Sequence, residues 1–310
     1  MNHRELAILQ SVVYASLFDY PLTLDQLHES LIESDLSPSE ILATFQSSDA
    51  LQRVVEYVDG YFVPAGRADL IAERRRRETR SRAFLRAHRL LLGALCAVPF
   101  TRMVALSGSV AHMNLEDGGD LDLFIVTRGP RVWTVTVAVL LLAKLAGQRR
   151  VVCANFVLSD SHLSLDQHDL FTANQVIHLK PLTGGDVLDD FLAANPFVRR
   201  LYPNALRRPA RPIAAAAPPR AVDWIRNVLE LALTLPSPLV ESTCRRLYGW
   251  HLRRKARSWQ SPEQVRLQSD YLKLHTRSHR DTVLERFEVE VDKAVRLAER
   301  ASRRALGAAR

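Results

Sequence analysis

Apolar residues recur at Leu6, Leu9, Val12, Val13 and Leu17, a spacing that predicts a helix over residues 4–17. A turn follows at Asp19–Pro21. Thr23 then stands where a side-chain oxygen caps a second helix, Thr23–Ile32. Ser37-Pro38 opens a third helix, running to Ser47, with proline at the first helical position. The runs Leu51–Val58 and Tyr61–Val63 flank Asp59-Gly60, a pair that tolerates the positive φ angles of a tight hairpin turn.

Three helices followed by a hairpin, within residues 1–66, resemble a winged-helix module. From residue 67 the pattern changes. Residues 68–97 read as one long helix, and Arg102–Ser107 as a short apolar strand. Asp120–Thr127 and Arg150–Leu158 read as two more strands, with apolar helix Arg131–Gly147 between them and helix Asp166–Leu179 after them. Strands alternating with helices predict an α/β (α+β) core over residues 67–198. Residues 199–220 read as a linker, because Arg207–Arg220 is rich in Pro, Ala and Arg. Residues 221–310 read as an all-helical, basic region, broken at Pro236-Ser-Pro238 and Ser261-Pro262.

Candidate chemistry concentrates between Leu106 and Val126. A strand turns successive side chains to opposite faces, so Asp120 and Asp122 share one face while Leu121, Leu123 and Ile125 enter the other. Two carboxylates so placed repel each other, and a divalent cation is the usual compensation. Magnesium takes oxygen ligands and is commonly held by one or two carboxylates together with substrate phosphates. Gly108 lets backbone approach a ligand, and Ser109 offers a hydroxyl and an N–H at a helix start, a setting that favours phosphate.

The order strand, Gly108-Ser109, ten residues, then Asp120-x-Asp122 in a second strand resembles the signature of the DNA polymerase beta-like nucleotidyltransferase superfamily. The resemblance covers roughly residues 77–182. It implies a nucleoside triphosphate held by Gly108 and Ser109, Mg2+ or Mn2+ held by Asp120 and Asp122, and nucleoside monophosphate transfer with release of pyrophosphate. It also implies a third carboxylate on a later strand, where this chain offers Asn155. An amide can coordinate a metal but neither takes a proton nor supplies charge. Three readings follow: an enzyme working with two carboxylates and Asn155, substitution by Asp160, Asp166 or Asp169, or a domain that binds nucleotide without turning it over. The last would make the chain a regulator or scaffold.

Other residues are candidates of lower rank. His112, one turn beyond Ser109, is in sequence reach of a phosphate but reads first as a helix-surface residue. Lys180 could neutralise triphosphate charge or snorkel at the surface. Arg128 and Arg131 could reach the nucleotide or cap the following helix. Glu116 and Asp117 read as solvated loop acids.

Charge changes the picture at the C-terminal end. Residues 199–310 carry 24 Lys+Arg against 11 Asp+Glu, whereas residues 1–198 carry 18 against 23. Such asymmetry suggests a nucleic-acid or anionic-surface partner, and Arg245, Arg246, Arg253, Arg254, Lys255 and Arg257 lie near Trp250 and Trp259. By contrast the predicted third helix, Ser37–Ser47, has no Arg or Lys, which disfavours a DNA-reading role. The acceptor of the transferred group stays open between small molecule, protein and RNA. Cys96, Cys153 and Cys244 form no CxxC or Cys/His cluster, so no zinc site or disulfide framework is expected. The amino terminus lacks a signal-peptide pattern, and the longest apolar run, Val132–Ala146, falls short of a membrane span. A cytoplasmic protein is expected.

Overall fold

A computed structural model describes residues 1–205, 221–276 and 278–308. Its first unit follows local chemistry closely. Helices α1 (His3–Ser16), α2 (Leu24–Glu29) and α3 (Pro38–Ser47) begin at Asn2, Thr23 and Ser37. Each of these caps accepts from the backbone N–H three residues on, and that residue's side chain reaches back to the cap. After the short α4 (Asp49–Gln52), strands β2 (Val55–Val58) and β3 (Tyr61–Pro64) form the expected hairpin. Asp59 and Gly60 have φ of 52° and 83°, as a primed turn requires. A third strand that the pattern did not announce, β1 (Leu22–Thr23), pairs antiparallel with β3.

The centre is a mixed α/β arrangement, in agreement with the coarse expectation. Helix α5 (Asp69–Ala87) is separated by His88 from α6 (Arg89–Cys96), so residues 68–97 are two helices rather than one. Strands β4 (Thr101–Ser107), β5 (Leu121–Thr127), β6 (Val152–Ser159) and β7 (Lys180–Thr183) lie in one six-stranded sheet. Between β4 and β5 the chain makes a single helical turn, α7 (Gly108–Ala111). Helix α8 (Val132–Leu145) links β5 to the parallel β6, and α9 (Leu170–Ile177) precedes β7. The alternation of β5 is obeyed. Leu121, Leu123 and Ile125 join a core on one side of the sheet, with α6 and α8. Phe124 and Val126 join another on the opposite side, with α9 and α10 (Val187–Ala193).

Two expectations about the later residues fail. Part of the expected linker is packed: α11 (Phe197–Leu201) is helical, Tyr202 is buried, and buried Asn204 donates to the Leu36 carbonyl. Residues 206–220 lie outside the described residues. The region from 221 onward is not all-helical either. After α12 (Ala221–Leu233) and α13 (Ser237–Lys255), strands β8 (Val265–Leu267) and β9 (Tyr271–Leu274) complete the order β7-β4-β5-β6-β9-β8. Tyr271 and Leu272 are buried on opposite faces because the β9 backbone pairs with β6. Their three- and four-residue lengths leave too little alternation to reveal them. The last helix, α14 (Arg280–Ala308), packs on α1, α4 and α9, so its Phe287 contacts both the N-terminal core and the sheet's core. No helix among the described residues is long and apolar enough to cross a membrane.

Candidate functional site

Antiparallel pairing of β4 with β5 sets Ser107 opposite Asp122, so the turn that ends one strand lies against the carboxylates that open the other. Gly108 has φ of +62°, and a Cβ on it would stand 2.1 Å from Asp122 Oδ2. Both facts demand glycine. Ser109 follows in α7. That helix is only one turn long, so its aligned dipole is slight, and the turn's value to an anion rests on its N–H groups and hydroxyl.

Asp120, Asp122 and Cys153 bring one candidate ligand atom each to within 4.8 Å of the others. Burial first, and the Asp120 charge second, push the Asp122 pKa up to about 7, while a hydrogen bond from Asn155 pulls it down. Asn155 Nδ2 donates to Asp122 Oδ1 at 2.5 Å. Cys153 Sγ donates to Asp120 Oδ2 at 3.0 Å, and burial followed by Asp120 pushes its thiol up to about 12. The thiol therefore stays protonated at neutral pH and serves as a donor.

A β-bulge positions Asn155. Leu123 pairs with Ala154 but Phe124 with Phe156, so Asn155 is the extra residue. Plain alternation places Val157 with Cys153 and Asn155. The bulge reverses that, sending Val157 to the core with Val152 and Ala154, and Phe156 to the opposite one.

The acids weighed as substitutes are engaged elsewhere. Asp160 accepts from the Gly129 N–H, Asp166 pairs with Arg266, and Asp169 caps α9 and pairs with Arg280. Glu116 and Asp117 are exposed loop acids, as expected, and pair with Arg77 and Arg80. Arg128 and Arg131 sit beyond the other end of β5, where they meet Glu230 and Ser237 of the α12–α13 region. Neither reaches the aspartates.

His112 is half-buried, packed between two other rings rather than free on a helix surface. Its ring stacks on His178 at 3.9 Å and meets the Tyr20 ring edge-on at 5.8 Å. Burial, then His178, Lys180 and Arg74, hold its pKa well below the usual histidine value. Burial likewise brings His178 down to about 4. Lys180 lies on β7 opposite Leu106, two residues before Gly108, and burial lowers its pKa. Turn, aspartates, Asn155, His112 and Lys180 thus cluster around one end of β4 and β5. Cys153 and His178 were not assigned a role from sequence. Cys153 was legible, since it shares the alternation face of Asn155, whereas His178 meets His112 only through tertiary packing.

No family model, curated protein or solved structure matches this chain.

Proposed function

We propose that the chain is a metal-dependent nucleotidyltransferase that passes a nucleoside monophosphate from a nucleoside triphosphate to an acceptor, releasing pyrophosphate. The observation that carries the reading is the contact between Gly108 and Asp122: a phosphate-suited turn and a carboxylate pair packed so closely that no side chain fits between them. The residues present suit a hard divalent cation. Asp120 and Asp122 offer adjacent oxygens, and the raised Asp122 pKa reflects burial first and the Asp120 charge second. Bound there, Mg2+ or Mn2+ would supply charge neutralisation for the phosphates.

The chain's own residues do the rest. Gly108 and Ser109 hold the phosphates in place, and Lys180 adds positive charge behind the turn. Asn155 and Cys153 fix the rotamers of Asp122 and Asp120 by donating to them. Asn155 is a positioning residue in this reading, and no other carboxylate takes the third place. The acceptor's bond to the α-phosphorus forms as the bond to pyrophosphate breaks, and its proton leaves to solvent or to the released pyrophosphate. The basic face of α13, where Arg254 stacks on Trp250 at 4.5 Å, lies with α8 on the other side of the sheet from Asp122 and would meet an anionic partner apart from this site. We place the winged-helix-like module as a positioning element rather than a DNA reader, since α3 presents no Arg or Lys.

The test is calorimetry of manganese and nucleoside triphosphate against the wild type and against Asp120→Asn with Asp122→Asn. The double variant should lose metal-dependent nucleotide affinity by about 100-fold or more while its melting temperature holds or rises, because like-charge repulsion is gone. Equal affinity in the two proteins would overturn the reading.

A further inference from the structure

Between α1, the loop into β1, the Gly108 turn and α9 lies a cavity of about 230 Å³. Its walls are aromatic, formed by Tyr14, Phe18, Tyr20, Phe171 and Tyr202, and it reaches Gly108 and Ser109. Two of the residues that line it carry a polar atom with no partner in the protein, Tyr14 Oη and Asn114 Oδ1, each closed over by its neighbours. Both residues are deeply enclosed, at 3% and 6% exposure. The orientation of Asn114 follows from its other contact. Its Nδ2 donates to the Phe18 carbonyl at 2.8 Å, and a carbonyl only accepts, so Oδ1 is left as a free acceptor. Burial raises the Tyr14 pKa well above its ordinary value, which keeps that hydroxyl a donor.

The cavity is close to electrically neutral. His112 and His178 line it in uncharged form at neutral pH. Asp19 and Glu116, also in the lining, both pair with Arg77. Phosphate gains little from such a place. A flat ring bearing both donors and acceptors gains aromatic contact on its faces and partners for the two unsatisfied atoms, each of which is costly when left alone.

We propose that this cavity receives the nucleoside part of the nucleotide between its aromatic walls, with the Tyr14 and Asn114 side chains turning so that Oη donates to the ring edge and Oδ1 accepts from it, while the phosphates extend onto Gly108 and Ser109. The N-terminal module then supplies half of the pocket, through Tyr14, Phe18 and Tyr20, and is part of the substrate site. The inference rests on the transfer reading for the phosphates but not for the pocket itself.

The probes are adenosine, guanosine, cytidine and uridine, titrated without metal into the full chain and followed by saturation-transfer NMR. At least one nucleoside should bind. Tyr14→Phe keeps the ring and should weaken it about five- to twenty-fold, with an unchanged or higher melting temperature. Phe171→Trp narrows the cavity and should remove it. Binding by none of the four, or binding equal in wild type and both variants, overturns the proposal and leaves the cavity to water. The two readings fail separately. Magnesium-dependent triphosphate binding that needs Asp120 and persists undiminished in Phe171→Trp removes the nucleoside pocket alone. Nucleoside binding that needs Tyr14, with no metal-dependent gain, removes the transfer reading alone.

Discussion

Residues 1–66 and residues 221–308 flank the same sheet, yet they are joined to it by different kinds of contact. The N-terminal module has its own core around Ile8, Leu27, Ile41 and Phe62. Toward the sheet it places Tyr14 and Ile32 in the core beneath Phe124 and adds directed polar contacts: Asn114 donates to the Phe18 carbonyl, Asp19 pairs with Arg77, and the Glu33 N–H donates to the Leu201 carbonyl. The C-terminal residues instead enter the sheet as β8 and β9, and Glu241 of α13 caps α8 by accepting from the Trp133 and Thr134 N–H groups. The cavity at the N-terminal junction is walled by aromatic rings, whereas the one at the C-terminal junction is lined by Arg131, Ser237, Glu241 and Arg245. A junction of hydrogen bonds and rings can hold space for a ligand, whereas strand pairing cannot open without losing its ladder. The proposed nucleoside pocket lies at the N-terminal junction, beside Gly108.

The largest expected effect breaks the C-terminal junction. Leu272 of β9 is fully buried against the core that contains Leu123 and Val157. Leu272→Ala should cost about 2–5 kcal/mol, read by denaturant midpoint with an unchanged slope. A loss below about 1 kcal/mol would mean that β9 is an appendage, and the contrast between the flanks would fall.

Glu241→Ala tests the same flank at smaller cost. It removes the acceptor of three hydrogen bonds, from the Trp133 N–H, the Thr134 N–H and Thr134 Oγ1. A lost cap of this kind should cost about 1–2 kcal/mol. Metal and nucleotide binding should stay as in the wild type, because α8 begins at the end of β5 remote from Asp122. Loss of nucleotide affinity with full stability would place the C-terminal flank in the site and erase the distinction.

The contrast also explains what could be read in advance. Thr23, Ser37, Asp59-Gly60 and the alternation of Asp120–Val126 act over a few residues, and each was legible. The short strands β1, β7, β8 and β9 were not, because two to four residues carry no period and their strand state comes from a distant partner. The same holds within the site. Asp120, Asp122, Gly108 and Ser109 could be picked by spacing, but the bulge at Asn155 could not, since it is a property of the pairing between β5 and β6. His112 read as a surface residue because its burial depends on Tyr20 and His178, which arrive from two other segments.

The last effect sharpens the comparison through pH. His178, at the N-terminal junction, has its folded pKa lowered by burial to about 4, against an ordinary 6.5. The unfolded chain therefore takes up the proton first as pH falls. Stability contributed by a neutral His178 is complete above pH 6.5, is lost as pH falls from 6.5 towards 4, and changes no further below that. His112 shifts in the same direction, and His275, on the C-terminal side against Phe156, is lowered by burial to about 3. All three contribute to a falling melting temperature in acid, so the wild-type profile alone cannot separate the flanks. His178→Gln does separate them. The amide keeps a donor within reach of the Asn174 carbonyl, which His178 Nδ1 approaches at 2.8 Å, yet it cannot titrate. Between pH 7 and 5 the variant should lose about 2 kcal/mol less stability than the wild type. Tyr14-dependent nucleoside binding should likewise persist to lower pH, because the stacked pair then has one member fewer to charge. A slope identical to the wild type would show that His178 gains its proton without disturbing the junction, and the acid sensitivity would then belong to His275 and the sheet.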